Sequence, residues 1–106
     1  MGTLYYAGSE VAIPFDDEAL AHLKVLATAK LRRGESFTVS WEHPPGERPG
    51  RSTIWVHPTI PLRFVFDSLD QPELDRAWLE SLSTSANLSG GIVIDSEHVQ
   101  QDHDSA

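Results

Sequence analysis

An α+β fold is what this sequence predicts, and three observations carry the prediction. Two stretches, 36–43 and 51–66, alternate apolar with polar residues as half-buried strands do. Two others place apolar residues at helical spacing behind an Asp cap. Short β-prone segments, 3–15 and 92–94, flank these at either end. In order they make a β-hairpin, a helix, a three-stranded antiparallel meander, a second helix and a C-terminal strand. Both helices are expected on one face of a mainly antiparallel sheet.

The hairpin comes from Thr3-Leu4-Tyr5-Tyr6-Ala7, a turn at Gly8-Ser9-Glu10, and Val11, Ile13 and Phe15 on one face of the returning strand. Pro14 has no N–H for a ladder, so this strand belongs at an edge. Asp16 or Asp17 caps the first helix, and Gly34 suits its left-handed stop. Its buried stripe runs through Ala19, Leu20, Leu23, Leu26, Ala27, Lys30 and Leu31, with Ala21, Lys24, Thr28 and Arg32 opposite.

The next strand turns Phe37, Val39 and Trp41 inward and Thr38, Ser40 and Glu42 outward. A Pro- and Gly-rich loop, 44–50, separates it from Ile54 and Val56, which alternate with Thr53, Trp55 and His57. Pro58 and Pro61 take the chain out of the ladder before Leu62, Phe64 and Phe66 alternate with Arg63 and Val65. The second helix is predicted to start at Asp70 and Pro72, to bury Leu74, Ala77, Trp78 and Leu82, and to stop near Asn87. Ile92-Val93-Ile94 is the last strand. Residues 1–94 thus form a single domain, and 95–106, acidic and carrying His98, His103 and a lone Val99, is expected to be a disordered tail.

Composition narrows the function. The net charge of −8 opposes a phosphate-binding surface, which needs clustered Lys and Arg. The absence of cysteine excludes disulfides, thiolate metal sites and a cysteine nucleophile. No apolar run approaches a membrane span, and no basic segment leads into an apolar one, so a cytoplasmic location without membrane contact is expected. There is no Gly-x-Ser-x-Gly elbow, phosphate loop or dinucleotide fingerprint, so no catalytic residue and no cofactor is assigned.

The chemistry of interest is on the second face of the central strands. If Ile54 and Val56 face the helices, Trp55 faces away, and the meander would set it beside His57, Arg63 and Val65, with Glu42 and Arg51 nearby. Trp and Arg are the residue types that carry interface energy, so these six are the candidate binding residues. Cross-strand packing against Arg63 is the plainer use of the same indole. His43, Glu42 and His57 could together hold a metal or pass a proton, but their spacing matches no compact ligand motif, and no metal is assigned. The expected function is a non-enzymatic binding or interaction module whose partner is another protein or a second copy of the chain.

Several runs of residues also look familiar: Met1-Gly2-Thr3-Leu4-Tyr5-Tyr6, Ala29-Lys30-Leu31-Arg32-Arg33-Gly34-Glu35-Ser36-Phe37, Gly50-Arg51-Ser52-Thr53-Ile54-Trp55-Val56-His57-Pro58 and Ser85-Ala86-Asn87-Leu88-Ser89-Gly90-Gly91. Through them the chain resembles a bacterial family of small proteins of about its own size that form a domain of unknown function. Members are often labelled ATP-dependent DNA ligase. A ligase carries its adenylate on the lysine of a Lys-x-Asp-Gly motif, whereas Lys24 and Lys30 are followed by Val25-Leu26-Ala27 and Leu31-Arg32-Arg33. The resemblance therefore implies at most an accessory role beside DNA ligation or repair, with Arg32, Arg33, Arg48 and Arg51 as phosphate contacts.

Overall fold

Residues 2–8 and 11–99 are described by a computed structural model of the chain. Ser9 and Glu10 of the expected turn, and the tail from 100 onward with His103, lie outside the described residues. The elements run β1 (Gly2–Tyr6), β2 (Val11–Phe15), α1 (Asp17–Arg32), β3 (Phe37–Glu42), β4 (Arg51–Val56), β5 (Leu62–Phe66), α2 (Arg76–Ser89), β6 (Gly91–Ile94) and a 3-10 turn at Ser96–His98. This is an α+β fold with its strands in two small sheets, β2-β1-β5 and β4-β3-β6.

The first sheet is antiparallel throughout, and β2 with its Pro14 is an edge, as proline requires. In the second, β4 runs antiparallel to β3 and β6 runs parallel to it. The expected meander is therefore corrected after its second strand: β5 pairs with β1, not with β4. The cause is local. Pro58 and Pro61 bound a turn closed by Ile60 N–H donating to the His57 carbonyl, and the Pro61 carbonyl then accepts from Ala7 N–H at 2.9 Å. The chain leaves one sheet at Val56 and joins the other at Leu62. Tyr6 ties the two, its hydroxyl donating to the Trp55 carbonyl at 2.6 Å.

The helices divide accordingly instead of sharing one face of one sheet. α1 packs on β1 and β5, while α2 packs on β6 and on α1. All meet in one core, with Leu4, Phe15, Leu20, Phe37, Ile92 and Ile94 fully buried. Complete burial of such a side chain stabilises by about 1.5–3 kcal/mol relative to exposure. Trp41 is buried and meets Phe15 edge-on, with ring centroids 5.7 Å apart.

α1 begins at Asp16, whose Oδ1 accepts from Ala19 N–H at 2.7 Å, and ends before Gly34 at φ +73°. Its covered face is wider than the expected stripe, since Ala21 and His22 are buried too. α2 starts later than the sequence suggests. Asp75, not Asp70, caps it by accepting from Trp78 N–H at 3.2 Å, and Pro72 lies in the irregular segment before it. α2 also runs past Asn87 and stops at Gly90, φ +79°. The chain from Asp95 to Val99 is the other correction, because it folds back rather than trailing away. Val99 is buried and bridges to Phe15, and Asp16 N–H donates to the His98 carbonyl at 2.9 Å. A single valine suffices because the β2 edge offers it an apolar seat.

Candidate functional site

The outer face of the β4-β3-β6 sheet is the surface the alternation singles out. Phe37, Val39 and Trp41 face the core, which turns Thr38, Ser40 and Glu42 outward. Opposite them in register stand Trp55, Thr53 and Arg51 on β4, and on the other flank Gly91 faces Thr38 and Val93 faces Ser40. Trp55 is 49% exposed and Val93 66% exposed. Neither is covered by a helix. Between them lies a shallow floor of small residues, where the Ser40 and Thr53 hydroxyls are hydrogen-bonded at 2.8 Å. Gly91 keeps that floor low: a Cβ there would collide with the Thr38 hydroxyl and lie 3.2 Å from its carbonyl.

Of the six expected residues, four lie on or beside this sheet. The His57 ring stacks on Trp55 with centroids 6.3 Å apart. Glu42 and Arg51 stand directly opposite each other at the far end of the β3–β4 ladder. Arg63 and Val65 belong elsewhere. They are on β5 in the other sheet, opposite Tyr5 and Thr3, and the Arg63 guanidinium lies 5.6 Å over the Tyr5 ring. Their expected place beside Trp55 depended on β5 pairing with β4, which the proline turn prevents.

Both histidines at the ends of β3 and β4 are occupied. His43 holds the 44–50 loop, Nδ1 against the Arg48 carbonyl at 2.9 Å and Nε2 against the Ser52 hydroxyl at 2.8 Å. His57 Nδ1 accepts from Thr59 N–H at 3.2 Å. Among the described residues, no three His, Asp or Glu side chains are grouped to hold a metal.

A second cluster had no sequence signal. His22 is fully buried, and both of its nitrogens are used: Nδ1 donates to the Glu18 carbonyl at 2.7 Å and Nε2 accepts from Asp75 N–H at 2.8 Å. Trp78 lies between two imidazoles, 4.3 Å from the His22 ring and 4.8 Å from that of His98. His98 Nδ1 in turn meets Asp16 Oδ2 at 2.8 Å. These contacts join the start of α1, the start of α2 and the last turn. Lys30 makes a comparable link, 6% exposed, with Nζ 2.9 Å from Asn87 Oδ1 and 3.0 Å from Glu35 Oε1. Hydrogen bonding to Lys30, helped by the nearby Arg33 charge, lowers the Glu35 carboxyl below its ordinary value.

The architecture and this surface define a small α+β protein with an exposed indole on a flat sheet face. The chain belongs to the family described as a domain of unknown function, DUF7882, whose model matches residues 1–97. That description names no activity, substrate or partner, and it agrees with the resemblance to an uncharacterised family without extending to its ligase label. No curated protein and no solved structure is similar enough to match. Among the described residues, no helix is long and apolar enough to cross a membrane.

Proposed function

We propose that the protein is a non-enzymatic binding module that receives a protein partner on the outer face of the β4-β3-β6 sheet. The half-exposed indole of Trp55 on an edge strand carries this reading. Trp is a residue type enriched at interface centres, and here it stands at the edge of a low floor of Thr and Ser with exposed Val93 on the far flank. The face also carries both signs of charge at one end, Glu42 opposite Arg51. A two-fold axis placed so that Arg51 of one copy meets Glu42 of another would satisfy both charges twice over, so a second copy of the chain is the preferred partner.

Sedimentation equilibrium of the wild type and of Trp55→Asp tests this, together with photo-cross-linking from position 55 in the source cell. The expected result is a wild-type dimer that Trp55→Asp converts to a folded monomer. A wild type that stays monomeric at every concentration, with no protein cross-linked from position 55, removes the proposal. A nucleic-acid-linked accessory role, motivated by the resemblance and by Arg32, Arg48 and Arg51, is the alternative. The net charge of −8 weighs against it, and a DNA titration without salt-dependent affinity would end it.

A further inference from the structure

A groove of about 660 Å³ runs between the outer face of α1 and the irregular segment that leads into α2. It is separate from the Trp55 face. One wall is α1 through Val25 and Ala29, and the other is Phe66, Leu69, Pro72 and Leu74. Large apolar side chains stand open here, Leu69 entirely and Leu74 by half. Volume and lining resemble small-molecule sites, which occupy roughly 300–1,000 Å³ and combine apolar walls with a few polar groups.

The polar groups have a sign. Lys24, Thr28 and Arg32 follow one another at four-residue spacing along the helix side of the groove, so the two cations are about 12 Å apart. The Lys24 ammonium lies 5.9 Å from the centre of the Phe66 ring. Among the described residues, Arg32 has no carboxylate within ion-pair distance. Its donors are therefore open to a ligand that enters the apolar groove beside it. The acid of the lining, Asp70, is on the opposite segment, its N–H held by the Ser68 hydroxyl at 3.0 Å.

We infer that this groove binds a small amphipathic carboxylate, with the apolar body between Val25 and Leu74 and the carboxylate on Arg32. The apolar body supplies burial, and the planar guanidinium supplies the paired donors that a carboxylate accepts. Lys24 adds a second positive charge along the path.

Amide NMR of the full chain titrated with octanoate, with 1-octanol as the neutral control, tests the site. Saturable shifts at Val25, Thr28, Ala29, Leu69 and Leu74 are expected with octanoate. Arg32→Gln should weaken octanoate roughly tenfold, the scale of one charge-assisted contact, and leave octanol unchanged. Val25→Asp should abolish both. Each changes an exposed side chain, and unchanged amide spectra away from the groove establish that the variants are folded. Octanol binding as tightly as octanoate, the absence of saturable shifts in the groove, or binding to anionic vesicles but not to dissolved octanoate would each overturn the assignment. The oligomeric state is not the readout, so failure here leaves the Trp55 proposal standing.

Discussion

Replacing Lys30 by Met should reveal how much of the fold rests on one buried cation between the helices. Met keeps most of the side-chain volume, so the apolar packing of the stem survives. What is lost is the ammonium contact with Asn87 at 2.9 Å and with Glu35 at 3.0 Å. A hydrogen bond involving a charged group contributes about 1.5–3 kcal/mol. Asn87 is exposed and can turn to water once abandoned, which puts the loss from its hydrogen bond near the lower bound, about 1.5 kcal/mol. For a domain of this size that is a fall in Tm of roughly 6–12 °C.

The pH dependence is the sharper signature. Because Lys30 holds the folded Glu35 carboxyl below its ordinary value, that contact stabilises above the unfolded carboxyl's range. It is lost as pH falls through the lowered folded value. Urea unfolding at neutral and acid pH should show wild type and Lys30→Met converging on acidification, with Glu35→Gln removing most of that convergence. If Lys30→Met matched wild type at neutral pH, or if the gap between them were constant into acid, the role assigned to Lys30 would be wrong.

Trp41→Ala should cost about 3–5 kcal/mol in urea unfolding, since it empties a buried site against Phe15; Trp78→Ala should cost less, because that indole packs on the core without being fully buried. Asp16→Ala should cost about 1 kcal/mol for the lost helix cap and should increase hydrogen exchange at Val99, because the His98 contact goes with it. Ala7 sits at φ +58°, where an L-residue is strained by about 1–2 kcal/mol, so Ala7→Gly should leave stability unchanged or raise it by up to about 1 kcal/mol despite glycine's greater unfolded-state freedom. Thermal unfolding decides that case, and a clear drop in Tm would show that the turn does not carry the strain.

Local chemistry was legible in the sequence wherever the determinant lay within a few residues. Asp16 and Gly34 bound α1, Pro14 puts β2 at an edge, and the alternation through Ile54, Trp55 and Val56 turns the indole outward. The start of α2 is not decided locally, because two aspartates, Asp70 and Asp75, compete for the cap. Asp75 prevails through a distant partner, since its own N–H is satisfied by His22, far away in the chain. The same distance hid the imidazoles around Trp78. A buried histidine on an apolar helix face and another in an acidic run have no local mark of a shared neighbour.

Strand partnership shows why four of the six candidate residues share one surface and two do not. The direction of a side chain is set by the two-residue period of its own strand, so Trp55 could be oriented from β4 alone. Which residues stand beside it depends on which strand pairs with β4, and several pairings satisfy the same alternation. In the sequence the prolines at 58 and 61 mark an interruption of one sheet, yet a turn that cannot continue a ladder equally well delivers the next strand to another sheet. β5 carries Leu62, Phe64 and Phe66 inward in either arrangement, so burial alone does not choose. The choice is made by β1, whose two edges accept β2 and β5 together and leave β4 with one neighbour. Among the described residues β4 thus has one strand neighbour, and the turn that removes Arg63 and Val65 from the candidate surface also leaves a β4 edge open beside the half-exposed Trp55.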